Sequence, residues 1–301
     1  MISLCLILLT SLFFMGIVVR TKSLASGRKG PSLFQPMWDI FRLWKKGSVY
    51  SRTTSVLFRI APVVSLASVL MAIVMIPFGN QPGLISFEGD FVLFAYLLAL
   101  GKFLMIVSAL DTGSSFEGMG ASREALYSML VEPAFFILMG SFALMTGQTS
   151  FHGFFSLLHF GSDTSYLLGG LATVVFVLIA LIENSRMPYD DPKTHLELTM
   201  VHEVMILDHS GFDLGVILYS THLKFAMYGA ILANLFMGEL PLWFSIPLFL
   251  SVQLGFGIVV GLIESFVARF RMAHNPQYIF ILSSVAILLF FGAMLVVGKF
   301  S

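Results

Sequence analysis

The run FVLFAYLLALGKFLMIVSAL, residues 91–110, is twenty residues long and carries one charge, Lys102, near its middle. A helix of about twenty residues rises roughly 30 Å, the thickness of a hydrocarbon core, and satisfies its own backbone groups where no water can. The run therefore reads as a membrane-crossing helix. Seven further blocks share its character, at Ile2–Val19, Ile60–Phe78, Ala125–Met145, Tyr166–Ile182, Val216–Phe236, Leu240–Ile263 and Tyr278–Val297. None alternates polar and apolar residues as a barrel strand must. The fold class this predicts is all-α: a polytopic membrane protein of about eight transmembrane helices, one helical bundle domain over residues 1–301.

Composition excludes several functions. The chain is 57% hydrophobic and 11% charged with a mean hydropathy of +0.91, far from a water-soluble enzyme. Seventeen basic and seventeen acidic residues cancel, so no charge excess argues for nucleic acid. A single cysteine, Cys5, cannot form an internal disulfide, a four-cysteine zinc site or an iron–sulfur cluster. Any electron chemistry belongs to partners or to a bound organic molecule. There is no P-loop and no glycine fingerprint for a dinucleotide. Ser114, Ser115 and Ser122 lie in a Gly/Ser-rich stretch after Asp111 that reads as a turn, with no histidine and acid set beside them.

The positive charges of the first block follow its apolar run instead of preceding it, so it reads as an uncleaved helix and not as a signal peptide. Nine Lys and Arg lie in residues 20–59, one in 111–124, two in 183–215 and two in 264–277, all on one side; only Lys299 lies on the other, and Lys102 and Lys224 fall inside helices. The excess of positive charge predicts both termini outside and the long loops in the cytoplasm. The cytoplasmic face would then hold a basic loop, 20–59, and an acidic loop, 183–215, between the fifth and sixth helices. No repeat of fixed period or inverted duplication is evident, which argues against an independent transporter.

A charge in the bilayer demands a partner, a wet cavity or a neutral form. Lys102 sits mid-helix in the third block, Glu132 precedes Pro133 in the fourth, Glu183 closes the fifth, and His222 and Lys224 lie in the sixth. One reading is structural pairing, such as Lys102 with Glu132. The other is a chain of protonatable groups. Residues 183–213 add to it seven carboxylates, Glu183, Asp190, Asp191, Glu197, Glu203, Asp208 and Asp213, with Arg186. Leu196, Leu198, Met200, Val201, Val204, Met205, Ile206 and Leu207 alternate with these acids as on a surface helix with one apolar face. Glu132, Glu183, Asp190, Glu197 and Glu203, with Lys102 and Lys224, are the candidate proton pathway. His195, His202 and His209 recur every seven residues. Ligands so spaced lie about 10 Å apart along a helix, too far for one ion, so these read as surface or relay histidines.

Several segments together resemble the subunit 1 family of respiratory complex I, and more closely the membrane subunit of formate hydrogenlyase and other energy-converting membrane-bound hydrogenases. They are Arg28-Lys29-Gly30-Pro31 with Gln35, Asp39-Ile40, Leu43 and Phe58-Arg59; Leu110-Asp111-Thr112-Gly113-Ser114-Ser115-Phe116; Gly120-Ala121-Ser122-Arg123-Glu124-Ala125 to Val131-Glu132-Pro133; Glu183 with Pro188-Tyr189-Asp190 and Glu197-Leu198; and Glu264 with Ala268-Arg269-Phe270-Arg271. The segments around Asp111–Glu124 are the most specific. The chain departs from the family at Pro192, Lys193 and His195, where further glutamates are usual. The resemblance implies a subunit without a redox centre that joins a peripheral module to ion translocation. Its partners would be hydrogenase-like large and small subunits, an iron–sulfur subunit and antiporter-like membrane subunits. Iron–sulfur clusters, and a nickel–iron centre, would belong to those partners. Arg28, Asp39, Arg59, Asp111, Arg123, Glu124 and Arg186 would lie at the interface or line a quinone-like cavity. The alternatives are a quinone-binding subunit of an NADH dehydrogenase-like complex, and an independent ion transporter.

Overall fold

The structure is a computed structural model that describes residues 1–157, 163–190, 200–238 and 240–298. The described residues form helices α1 (Ile2–Ala25), α2 (Gln35–Trp44), α3 (Val56–Val74), α4 (Asp90–Asp111), α5 (Ser115–Thr146), α6 (Phe151–Leu157), α7 (Asp163–Glu183), α8 (His202–Met205), α9 (Gly211–Met237), α10 (Leu242–Phe266) and α11 (Asn275–Gly298), with a short 3-10 turn at Met272–His274. Eight of them, α1, α3, α4, α5, α7, α9, α10 and α11, are long and apolar enough to cross a membrane. This agrees with the helix count read from the sequence. One end of the bundle gathers residues 26–55, the α4–α5 turn and residues 184–190 and 200–210; it is called the charged end below.

Helix α9 is the axis of the bundle. Its most apolar window is 78% buried, against 28–44% for the other spans. That explains why it tolerates the lowest hydropathy of the eight: neighbours, not lipid, solvate its polar groups. Near the far end Asn234 shows how, accepting from Gly79 N at 2.8 Å and donating to Pro77 O at 2.9 Å, so that it ties α9 to the turn after α3. At the charged end α2 lies across α9. Met37 and Ile40 are buried, Trp38 and Phe41 are exposed, and the Trp44 ring meets Tyr219 edge-on at 5.4 Å.

The structure corrects the sequence reading at the Gly/Ser stretch. Helix α5 starts at Ser115 and not at Ala125, so residues 111–124 are not a loop. The connection from α4 to α5 is three residues, Thr112–Ser114, and Gly113 (φ 71°) takes the left-handed turn that a side chain would resist. Ser122 is helical. Helix formers in Met119–Ala125 outweigh the loop-like composition, and Gly120 faces a neighbour. A Cβ on Gly120 would lie 2.8 Å from Val201 O and press on the Val204 side chain, so glycine lets the returning chain of the acidic loop seat on α5.

A second correction concerns that loop. The expected surface helix carrying Leu196–Leu207 is, among the described residues, one turn long, and Met200, Val201, Val204, Met205 and Ile206 are buried. These five residues plug the end of the bundle, whereas Leu207 is exposed, and Leu196 and Leu198 lie outside the described residues. Glu197 and His195 lie outside the described residues. His202 opens α8, while His209 lies beyond it, so these two do not share a helix face. His209 is buried, stacked on Phe58 with 4.0 Å between ring centres, and neither ring nitrogen has a hydrogen-bond partner among the described residues. Burial lowers its pKa from 6.5 to about 4, against the opposing pull of Asp213.

Two outcomes follow from this packing. Gly120→Val overfills the contact with residues 201–205 and is expected to cost about 1–3 kcal/mol, read as a lower unfolding midpoint in detergent; an unchanged midpoint contradicts the close approach. For His209, the unfolded chain binds a proton near pH 6.5 and the folded chain only near 4. Stability is therefore full above the first value, falls by roughly 3 kcal/mol as pH drops to the second, and levels off below it. His209→Phe keeps the stack and should flatten that fall between pH 7.5 and pH 5 midpoints.

Candidate functional site

The site begins with a helix that stops early. Lys102 lies nine residues inside the charged-end terminus of α4, and Lys224 thirteen residues inside that of α9. These are depths of about 14 and 20 Å at the helical rise. Glu183, the last residue of α7, reaches both: its carboxylate is 2.9 Å from Lys102 Nζ and 2.9 Å from Lys224 Nζ. Helix α7 thus ends well within the thickness that its neighbours span.

Ending a helix there exposes four carbonyls that find no water. Each is answered. Ala180 O accepts from Asn184 N and, at 2.7 Å, from its side-chain amide; Leu181 O accepts from Arg186 N at 2.9 Å; Ile182 O accepts from Ser185 N at 3.0 Å; and Glu183 O accepts from Lys224 Nζ at 2.7 Å. The pattern at Leu181 and Ile182 is a Schellman cap, with Ser185 (φ 52°) where glycine is usual. Lys224 completes the cap as a cation at a helix C-terminus. The chain beyond, Asn184–Asp190, is buried throughout.

Lys102 has a second carboxylate. Glu124 Oε1 is 3.4 Å away, and Glu124 also accepts from the Tyr189 hydroxyl at 3.4 Å. Burial, then the charges of Glu124 and Asp190, push the Tyr189 pKa well above the usual phenol range, so this hydroxyl remains a donor. Lys102 and Glu124 meet because each lies nine residues from its end of the short α4–α5 turn, which sets them at one depth in an antiparallel hairpin. The same register overturns the expected Lys102–Glu132 pair. Glu132 lies two turns farther along α5, about 12 Å, and is exposed. Lys102, Lys224, Glu183 and Glu124 form a neutral quartet beside a small cavity that Ser68, Asn184, Ser185, His202 and Ser220 also line.

The remaining candidates fall into three groups. Asp190 is buried, pairs with Arg269 at 2.7 Å and accepts from Val201 N and His202 N at 3.2 and 3.1 Å, so it pins both ends of the segment that includes Glu197. Arg186 is also interior: it pairs with Glu264 at 3.0 Å, touches Met15 Sδ and lies over the Phe225 ring, while Lys22 approaches Glu264 at 3.5 Å. Toward the charged surface, Arg28, Asp39 and Arg59 are exposed; Asp39 faces Gln35 and Arg42, and Arg59 covers the Tyr50 ring. Asp111 accepts from Ser55 N at 2.6 Å, Arg123 donates to Met200 O at 3.0 Å, and Glu203 is half-buried in the first turn of α8.

Sequence reasoning did not join Glu124 to the intramembrane charges and passed over Tyr189, Asn184 and Ser185. A sequence signal for Glu124 exists: Ser114-x-x-Glu117 has the spacing of a capping box and so marks a helix start at Ser115, although in the structure Ser114 makes no side-chain cap and Glu117 accepts from Asp208 N at 3.1 Å. Among the described residues no group of three His, Cys, Asp or Glu side chains is placed to hold a metal ion.

Comparisons with known proteins agree with this architecture. The chain is 31% identical over 232 residues to hydrogenase-4 component C of Escherichia coli K12, covering 77% of this chain and 72% of that protein. It is 26% identical over 274 residues to formate hydrogenlyase subunit 4 of the same organism, covering 87% of each. Its fold matches a chain in the structure of the membrane-bound sulfane sulfur reductase, an archaeal respiratory membrane complex, with a TM-score of 0.83 over 97% of both chains at 17% identity. The family described as NADH dehydrogenase matches residues 1–297, and the chain belongs to that family.

Proposed function

We propose that the chain is the membrane anchor and coupling subunit of a hydrogenase-type, complex I-related oxidoreductase, linking a peripheral redox module to translocation of protons or sodium. The observation that carries this reading is Glu183, held between Lys102 and Lys224 at a helix end inside the bundle. From it a buried strand of chain, Asn184–Asp190, runs to the charged end. The relatives' names, a hydrogenase component and a formate hydrogenlyase subunit, support the assembly. In this reading the charged end faces the cytoplasm of a prokaryotic cell and both termini lie outside. Loops 20–59 and 183–215 receive the hydrogenase-like large and small subunits and an iron–sulfur subunit. Antiporter-like subunits adjoin the bundle in the membrane. The clusters and any nickel–iron centre reside in the partners.

The mechanism follows from the choice open to Lys102. It is 2.9 Å from Glu183 and 3.4 Å from Glu124, so a small displacement of the helix end exchanges one ion pair for the other. Glu124 in turn is tied to Tyr189 on the buried segment. A redox event that moves residues 184–210 would shift this balance, and a carboxylate that loses its lysine becomes a proton acceptor. Asp190, Glu203 and Glu197 extend the route toward the charged surface, and Glu132 extends it along α5.

Glu183→Gln preserves shape and removes the shared charge. In inside-out vesicles bearing the native complex, redox-driven ion translocation should fall roughly tenfold or more, in line with the importance of such intramembrane acids. Subunit composition should stay unchanged. Because one lysine is left uncompensated, the double variant Lys102→Met with Glu183→Gln, which restores neutrality, should assemble at least as well and translocate no better. Full translocation in either variant would remove the quartet from the mechanism.

A further inference from the structure

The route proposed above names the acids of the loop and the quartet, but no group that hands a proton from one to the other. Among the described residues that line the cavity beside the quartet, His202 is the one titratable side chain outside the quartet itself. It is half-buried and opens α8, in the segment that closes the charged end. Its backbone is fixed: the N–H donates to Asp190 at 3.1 Å, and Arg123 donates to the Met200 carbonyl two residues back at 3.0 Å. Its ring is not, since among the described residues neither ring nitrogen makes a hydrogen bond or an ion pair. The charged groups on the near turns of the helices that meet α8 are engaged: Lys102 and Glu124 pair with each other, Glu117 accepts from Asp208 N, and Arg123 holds Met200. Asp190, on the segment before, is held by Arg269. The cavity supplies the remaining link. The hydroxyls of Ser65, Ser68, Ser220 and Thr221 line it, and a cavity with this many polar partners holds water.

We infer that His202 is the proton carrier between the loop and the quartet, taking a proton from the charged-end side and passing it through cavity water to the carboxylate, Glu124 or Glu183, that has lost Lys102. An imidazole suits the task because one nitrogen accepts a proton while the other releases one, at a pH near neutrality. The transfer changes no redox state. An N–H bond of the imidazolium breaks, an O–H bond forms on the carboxylate, and the ring returns neutral, to be protonated again from the charged end. The inference rests on the reading of the chain as a coupling subunit, and it adds the residue through which the quartet is loaded.

The test uses the native complex in inside-out vesicles, with redox-driven ion translocation read as membrane potential, which a permeant weak base does not discharge. His202→Gln keeps a polar side chain and removes the titrating ring, so translocation should fall roughly tenfold or more, as when a positioned acid–base group is lost, with subunit composition unchanged. His202→Ala should show the same loss and leave a space beside the cavity. Imidazole added to the medium should then restore much of the lost translocation, whereas pyrazole, a ring of the same size that stays unprotonated near neutral pH, should not. A role in packing alone would not tell the two rings apart. Full translocation in either variant, loss of subunits in both, rescue by neither ring or equal rescue by both would overturn the inference. A parent complex that turns over without translocating takes the coupling reading down as well, whereas a translocating parent with unimpaired His202→Gln removes His202 alone.

Discussion

The constraint on which the rest of the structure depends is that a helix ending inside a bilayer must find donors for its last four carbonyls. Helix α7 does this with its own next residues and with Lys224. Once Lys224 is drawn to the helix end, its charge requires a counter-charge, and Glu183 supplies one from the same terminus. Lys102 approaches the other oxygen of that carboxylate and carries in Glu124. Backbone satisfaction and charge neutrality are thus met by one set of atoms. The axial burial of α9 and the register of the α4–α5 hairpin follow, because each must deliver its lysine or glutamate to that point.

This requirement also explains what was legible in the sequence. Eight spans could be read because each is a block of apolar residues whose length matches the bilayer. Lys102, Glu183 and Lys224 were visible as charges out of place. Their pairing was not, since it depends on where α5 starts. Treating residues 111–124 as loop put Glu124 at the surface and left Glu132 opposite Lys102; a three-residue turn reverses both. A glycine reads as a turn in composition, yet Gly120 is helical because Val201 and Val204 press on it from a segment eighty residues away. Such long-range contact has no local signature.

The acidic loop shows a similar limit. Alternation of apolar and acidic residues suggested an amphipathic surface helix, whereas Met200–Ile206 turns inward as a plug. The carboxylates there are not equivalent. Asp190 is consumed in holding the loop closed, by Arg269 and two backbone amides, and Glu264 is occupied by Arg186 and Lys22. Carboxylates held by this many donors are fixed in place. In the proposed mechanism Glu124 is better placed to exchange partners than the acids made prominent by their position in the loop, since its two donors, Lys102 and Tyr189, both stand at 3.4 Å.

A neutral quartet is also a poor source of stability. Desolvating four charges offsets most of what their attraction returns, and an apolar replacement of equal shape is often as stable. Its retention in a bundle otherwise free to be apolar is best explained by what it permits. Lys102 has two carboxylates at comparable distance, and the proposed coupling uses two arrangements of the same four charges, each leaving a different acid undercompensated. A modest push selects between two such arrangements when they are close in energy. That push can arrive along Asn184–Asp190, which joins Glu183 to Asp190 and Tyr189 to Glu124. In the proposed mechanism the short helix, the buried connection and the extra carboxylate act as one two-state element, in which the costly burial of charge is inseparable from the ability to switch.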